Sequence, residues 1–269
     1  MAKISIITIC YNEPNLEKTC ESIVNQTFQD FEWIVVDGGS NQETQEIWNR
    51  YKDRIDKFIS EPDNGRYDAM NKGISLATGE YLNFMNAGDY FADKDVLQNV
   101  VNKNLDKDIV FGDLGNINTD GSIHHCIFPD KVDLIFLYKH FIPHQASFIK
   151  ADLFDKYGHY STEFLSASDW EKWIVFIILN HCTYKHIRLT CCIFDTNGIS
   201  SKQGQIGDKE REIILHKYFS EEEILKLKNS ANFKLNFLEK IFSIKKCSDN
   251  RHIAITFMGF TLKTKGFNL

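Results

Sequence analysis

The chain has 269 residues, 43% of them hydrophobic and 25% charged, with a net charge of −6. That is the profile of an ordinary globular protein with a real core. It excludes a disordered chain, and the acidic balance argues against a general nucleic-acid binder. The charge is uneven: Ala231 to Leu269 carries seven Lys or Arg against two Asp or Glu, which leaves −11 on the remainder.

Met1 to Cys10 is a short apolar run that ends in polar residues, which suits a buried strand rather than a signal peptide. Within it, Lys3 to Ile9 is β-branched and apolar on both faces, as in a parallel sheet covered on both sides. Asn12 stands where it can cap a following helix, with Pro14 in the first turn. Phe31 to Val36 reads as a second strand, and Ser40 with Glu43 as the capping box of the next helix. Lys57 to Ser60 is a short third strand. Tyr67 to Ala77 is a helix with Gly79 as its stop signal, and Tyr81 to Met85 is a fourth strand.

This alternation predicts an α/β fold with a mostly parallel central sheet, right-handed crossovers and flanking helices. In such sheets ligands bind beyond the carboxyl ends of the strands. Four strands here end in polar turns: Tyr11-Asn12-Glu13, Asp37-Gly38-Gly39-Ser40, Glu61-Pro62-Asp63-Asn64-Gly65-Arg66, and Asn86-Ala87-Gly88-Asp89. Carboxylates and glycines thus gather at one edge.

The second half is less regular. Asp108 to Leu114 and Ile123 to Phe128 read as strands around an Asp120-Gly121 turn. Val132 to His140 reads as a helix, Gln145 to Lys150 as a strand, Ser168 to Asn180 as a helix, and Tyr184 to Asp195 as strands. Helices are expected over Ile206–Tyr218 and Glu221–Ile244, the second opened by a Ser220/Glu223 capping box. Ile253 to Lys263 reads as a hairpin around Gly259. Trp173 to Leu179 is too short an apolar run to span a bilayer. Seven cysteines without CxxC spacing, among them Cys10, Cys20, Cys182, Cys191 and Cys192 in apolar or mixed segments, read as reduced core residues.

Several side chains carry chemistry at that edge. Asp37 can accept hydrogen bonds from a base or ribose, or simply cap a tight turn, while Gly38 and Gly39 allow close backbone approach. The Asn64-Gly65 turn delivers Arg66 to a helix start, and both suit phosphate; Lys72, on the same helix, can reach phosphate or merely solvate a surface. Asn71 in that helix requires a partner. Asp89 is an oxygen ligand for a divalent cation, and Asn86 can add an amide oxygen. Asp169 at a helix start can act as a general base, or serve the helix dipole beside a Ser168/Glu171 capping box. His144 fits either a ligand contact or a structural role. Trp170 and Trp173 share a helix face, on which sugar stacking and core packing are both open.

The Ser5-Ile6-Ile7-Thr8 strand with Tyr11-Asn12, the Val35-to-Ser40 segment, the Glu61-to-Gly73 block and the Asn86-to-Asp89 turn occur in the order seen in family-2 glycosyltransferases. The chain resembles this family over roughly its first two thirds, and its bacterial polysaccharide-assembly members most. The resemblance implies a GT-A fold, with residues 1–105 binding a nucleotide sugar, 106–215 forming the acceptor and catalytic-base half, and 216–269 a helical basic tail. It implies inverting transfer of a hexosyl or N-acetylhexosaminyl group, UDP being the commonest donor nucleotide, to a glycan or undecaprenyl-diphosphate-linked acceptor in surface polysaccharide or capsule synthesis.

By position, Tyr11, Glu13 and Asp37 match nucleoside-holding residues, Asp63 and Arg66 fall in the loop that meets base and diphosphate, and Asp68, Lys72 and Asn86 lie beside them. Asp89 matches the last acid of the motif that binds Mn2+ or Mg2+; here Asn86 and Gly88 occupy its earlier acidic positions. Asp169 matches the catalytic base, His144, Gln145 and Trp170 the acceptor side, and Asp195 to Ser201 an acceptor loop. A cytoplasmic location follows, at the inner face of the membrane if the tail's Phe233, Phe237, Leu238, Ile241 and Phe242, flanked by lysines, meet anionic lipid rather than the domain. Two rivals are a nucleotide-sugar-binding protein with a weakened site, motivated by Asn86 and Gly88, and a sugar-phosphate nucleotidyltransferase. The second conflicts with the loop after the first strand, which lacks the glycine-rich, basic sequence of such enzymes.

Overall fold

The computed structural model describes residues 3–117, 122–195, 204–246, 252–257 and 260–265, and beyond residue 231 the backbone alone. Strands and helices alternate first as β1 (Ile4–Cys10), α1 (Leu16–Val24), β2 (Phe31–Asp37), α2 (Gln42–Tyr51), β3 (Lys57–Ser60), α3 (Arg66–Leu76) and β4 (Tyr81–Phe84). There follow β5 (Tyr90–Phe91), α4 (Val96–Asn102), β6 (Ile109–Ile117), β7 (Ile123–Cys126), α5 (Leu134–Lys139), β8 (Ser147–Lys150), α6 (Asp152–Tyr157), α7 (Ser168–Trp173), β9 (Tyr184–Asp195), α8 (Gly204–Tyr218) and α9 (Glu221–Ile241). Three strands close the chain: β10 (Phe242–Lys246), β11 (His252–Phe257) and β12 (Phe260–Lys265).

One nine-stranded sheet runs in the order β3-β2-β1-β4-β8-β6-β9-β5, with β7 paired to β6. The first four of these strands are parallel, as the alternation predicts. Beyond β4 the sheet is mixed: β8 runs antiparallel to β4 and β6, whereas β6 and β9 are parallel. β1 is buried along its whole length, with Ile7 and Ile9 in one core layer and Ile4, Ile6 and Cys10 in the other. Helix α3 lies so close to β1 that a methyl group at Gly73 would overlap Ile7. Cys10, Cys20, Cys182, Cys191 and Cys192 are free and buried, and burial pushes the Cys10 thiol up to about 12.

Several local expectations change. Asn12 does not cap α1. It adopts φ +51, its side chain accepts from Asn41 N (2.7 Å), and its backbone N donates to Ser40 Oγ (2.9 Å). Asn41, not Ser40, caps α2 by accepting from Thr44 N. Asn12 and Ser40 are thus used to bind the first two loops together. The expected strand from Gln145 begins only at Ser147, because His144–Ala146 forms a 3-10 turn. Asn83 Nδ2 pins that turn through the carbonyls of Gln145 and Ser147, and Ser147 Oγ closes it on Pro143 O.

The helix read over Ser168–Asn180 is α-helical to Trp173 and π-helical over Ile174–Leu179. The helix expected to reach Ile244 stops at Ile241, since strand pairing such as Ile244 with Ile255 overrides local helix preference. The Ser220/Glu223 capping box forms, and β11 and β12 make the expected hairpin. Asp120-Gly121, Gly259, residues 196–201 of the acceptor loop and the side chains of the basic tail lie outside the described residues. Among the described residues no helix is long and apolar enough to cross a membrane.

Candidate active site

The four loops beyond β1 to β4 meet one another. Asp63 lies against Gly38 so closely that a Cβ there would stand 2.6 Å from Asp63 Oδ2 and 3.4 Å from the Tyr11 ring. Glu13 packs on the fourth loop, 3.2 Å from where a Gly88 Cβ would be, and Gly88 adopts φ +98. Thr19 fastens that loop to α1, accepting from Gly88 N (2.9 Å) and donating to Asp89 O (2.7 Å).

Asp37 sits behind this edge. It is fully buried, and its carboxylate accepts from Ser40 N (3.0 Å), Gln45 Nε2 (2.8 Å), Ser60 Oγ (2.7 Å) and Trp48 Nε1 (3.4 Å). Burial pushes its pKa upward, but the hydrogen bonds from Ser40, Ser60 and Trp48 outweigh burial and hold it below the usual value. The carboxylate thereby shapes the loop that carries Gly38. Lys72 pairs with Glu61 (2.8 Å) and Asp68 (3.6 Å), and Asp68 also accepts from Asn64 N (2.9 Å). Asn71 finds its partner in the Tyr160 backbone, through bonds of 2.8 and 3.0 Å.

The second group centres on Asp169. Tyr67 OH donates to Asp169 Oδ1 at 2.8 Å, and His144 Nδ1 lies 3.2 Å from Asp169 Oδ2. His144 Nε2 is 3.0 Å from Asn86 Nδ2. A carboxylate oxygen can only accept, so His144 Nδ1 is the donor in its contact with Asp169. Gln145, the next residue, donates from Nε2 to Asp89 Oδ2 at 2.8 Å. One short turn thus ties both ends of the Asn86-to-Asp89 loop, His144 at Asn86 and Gln145 at Asp89, and joins that loop to the carboxylate of Asp169.

Burial pushes the Asp169 carboxyl upward, but the hydrogen bond and charge of His144 and the Tyr67 hydroxyl together bring it below the usual value. Burial, followed by the charge of Asp169, drives the Tyr67 hydroxyl well above its ordinary range, so it remains a donor. The Ser168/Glu171 capping box does not form. Ser168 Oγ is buried without a partner, and Glu171 Oε1 accepts instead from Lys217 Nζ (2.8 Å) and Tyr218 OH (2.9 Å). Trp170 and Trp173 are both buried, and their indole N–H groups donate to Leu137 O and Ile142 O.

Asp169 opens on a cavity of about 280 Å³ whose walls include Arg66, Tyr67, His144, Gln145, Trp170 and Arg211. Tyr11, Glu13, Asp37, Asp63 and Asp89 are not in its walls. A slightly larger but open depression beside Lys18 and Tyr90 contains none of these residues. Tyr67, Glu210 and Arg211 escaped sequence reading as site residues. Tyr67 had a signal, standing beside Arg66 in a motif-bearing block. Glu210 and Arg211 had none, because their partners lie more than 40 positions away.

Polar loops at the ends of parallel strands and a hydrogen-bonded carboxylate facing a cavity suit a group-transfer enzyme. The chain belongs to glycosyl transferase family 2, whose model matches residues 5–158, and it is a glycosyltransferase. An uncharacterized glycosyltransferase of Mycobacterium tuberculosis (strain H37Rv) is 32% identical over 225 residues, covering 80% of this chain and 85% of that protein. A PGL/p-HBAD biosynthesis glycosyltransferase of the same strain is 34% identical over 174 residues, 62% of this chain and 66% of that one. Among solved structures, S. aureus TarS in complex with UDP shares the fold at a TM-score of 0.60 and 18% identity, covering 77% of this chain and 70% of that chain. The mannosyltransferase PcManGT from Pyrobaculum calidifontis, in complex with GDP-Man and Mn2+, aligns at 0.52 and 18% identity over 71% of this chain and 56% of its own. The fold is therefore GT-A.

Proposed function

We propose that this glycosyltransferase moves a hexosyl or N-acetylhexosaminyl group from a nucleoside diphosphate sugar, a UDP-sugar first among candidates, to a hydroxyl of a glycan or lipid-linked acceptor, with inversion. The observation that carries the reading is the Asn86–His144–Asp169–Tyr67 chain at the cavity wall. A sugar hydroxyl is a poor nucleophile, and a positioned carboxylate accepts its proton as the bond to the anomeric carbon forms. Asp169 is ionised and aimed by two donors, so it meets that requirement. Tyr11, Asp63 and Glu13 line the edge proposed for the nucleoside. Arg66, at the head of α3 after Gly65, is the cation proposed for the diphosphate; Lys72 reaches it only by leaving Glu61.

Family members commonly use a divalent cation, and two residues here fit Mn2+ or Mg2+. Asn86 Oδ1 is a buried oxygen without a hydrogen-bond partner, and Asp89 brings a carboxylate to the same turn. Among the described residues no three His, Cys, Asp or Glu are grouped to hold an ion. Asn86 and Asp89 would therefore share it with phosphate oxygens of the donor. Such a cation supplies charge neutralisation to the departing diphosphate. PcManGT is a neighbour of the same fold in complex with GDP-Man and Mn2+, and TarS one in complex with UDP; both support the reading.

The test is a screen of UDP-, GDP- and dTDP-sugars for hydrolysis with Mn2+, Mg2+ or chelator. The expected result is turnover of one donor by the wild type, and donor binding without turnover by Asp169→Asn. Undiminished turnover by Asp169→Asn refutes the assignment of the base. Donor binding without any turnover by the wild type favours a binding protein.

A further inference from the structure

The cavity beside Asp169 presents one charged group that neither proton transfer nor the diphosphate accounts for. Arg211 reaches it from α8, its guanidinium carbon 5.2 Å from the centre of the Trp170 ring. Stacking of this kind fixes a guanidinium in place without neutralising it. Among the described residues Arg211 has no carboxylate partner. Its neighbour Glu210 cannot serve, since its oxygens accept from three successive amides, Leu165 N (2.7 Å), Ser166 N (2.8 Å) and Ala167 N (2.9 Å). Asp169 is already engaged by Tyr67 and His144. The same Glu210 bonds hold α8 against the loop that leads into α7, which fixes where Arg211 stands relative to Asp169. Phe141, Phe194 and Trp170 supply flat apolar walls, and Ser166 a hydroxyl.

A partly buried cation with no counter-charge among the described residues, facing a small cavity, suits an oxyanion. Arg66, at the head of α3, is the other cation in the cavity walls. The cavity has room for a sugar residue rather than an extended oligosaccharide.

We propose that Arg211 defines an acceptor subsite for an acidic group, a carboxylate or phosphate carried by the acceptor sugar, and so sets the accepting hydroxyl against Asp169. The inference rests on the reading of Asp169 as the acceptor base. Sugar acids and sugar phosphates are therefore the substrate class favoured over neutral glycans.

The experiment uses the full chain, with methyl glucoside, methyl glucuronide, glucose 6-phosphate and glucose 1-phosphate as probes. Binding is followed by ligand-observed NMR, with UDP titrated in the same samples. The expected result is that an acidic probe binds about 10-fold better than the neutral glucoside, and that Arg211→Gln removes this preference with UDP affinity unchanged. Preference for the 1-phosphate identifies the anion as one at the reducing end, as on a carrier-linked acceptor. Preference for the glucuronide or 6-phosphate places it on the far side of the ring. Arg211→Lys, which keeps the charge, should retain part of the preference and guards against misfolding. Equal or absent binding of acidic and neutral probes overturns the proposal. So does a loss of UDP affinity in Arg211→Gln, which would assign the cation to the donor. Because UDP binding and donor turnover are read separately, loss of the subsite with both intact leaves the transferase reading standing.

Discussion

Tyr67 and Asp169 stand 102 positions apart and share a 2.8 Å hydrogen bond across the cavity wall. The helix that opens with Arg66 therefore also steers the proposed base. Removing that hydroxyl with Tyr67→Phe should lower kcat about 10-fold, the scale of a hydrogen bond to a charged group, with little change in donor KM. It also removes one of the bonds that depress the Asp169 pKa. Activity falls as pH drops through the folded-state value, so the acid limb of kcat should move to higher pH in the variant. A limb that stays in place denies the bond a role in catalysis.

Asp169→Asn keeps the shape and hydrogen-bonding reach of the side chain but cannot accept a proton. Transfer should fall by about 10²- to 10⁴-fold while nucleotide affinity, measured by calorimetry, stays within about 2-fold.

Gly38 tests the meeting of loops at the edge proposed for the nucleoside. A methyl group there stands 2.6 Å from Asp63 Oδ2, so Gly38→Ala must displace Asp63. Because the clashing atom is the tip of the partly exposed Asp63 side chain, little loss of stability is expected in chemical denaturation, but UDP binding should weaken. Unchanged binding would remove Asp63 from the nucleotide site.

Asp37 gives a pH signature in stability. Its folded pKa lies below the ordinary 3.8, so it contributes stability that is present above that value and lost as pH falls through the folded pKa. Asp37→Asn should lower Tm at neutral pH and flatten its decline in acid. An acid profile parallel to wild type would show that the four hydrogen bonds are not selective for the ionised carboxylate.

Glu210→Gln should destabilise the chain by about 2 kcal/mol, because an amide nitrogen would face backbone N–H groups that one carboxylate now satisfies. Urea denaturation checks this, and Glu210→Ala should be at least as severe.

The parallel half of the sheet was legible in the sequence because its strands are short, largely apolar runs, β-branched in β1 and β2, each closed by a polar turn and alternating with helical segments. The second half was not, because its order depends on which distant strands pair: β8 inserts between β4 and β6, and nothing in Ser147–Lys150 encodes that. Capping was read correctly at Ser220 and Glu223, where both groups are local and exposed. It was misread at Asn12, Ser40 and Ser168, where a partner from elsewhere competes for the side chain or leaves it buried. His144, Gln145 and Asp169 were legible as candidates through motif resemblance, whereas their wiring to Asn86, Asp89 and Tyr67 is purely tertiary.

The Glu210 contact also bears on how the enzyme can be recombined. The family match ends at residue 158, ahead of Asp169, and the amides just before Asp169 depend on a carboxylate from α8. A chimera that keeps the residues ahead of Leu165 from another relative but takes only the Asp169-bearing segment from this chain, without α8, would separate that segment from its latch. Functional exchange between relatives therefore requires residues 165–218 to travel as one block, with the crossover placed ahead of Leu165 rather than between α7 and α8.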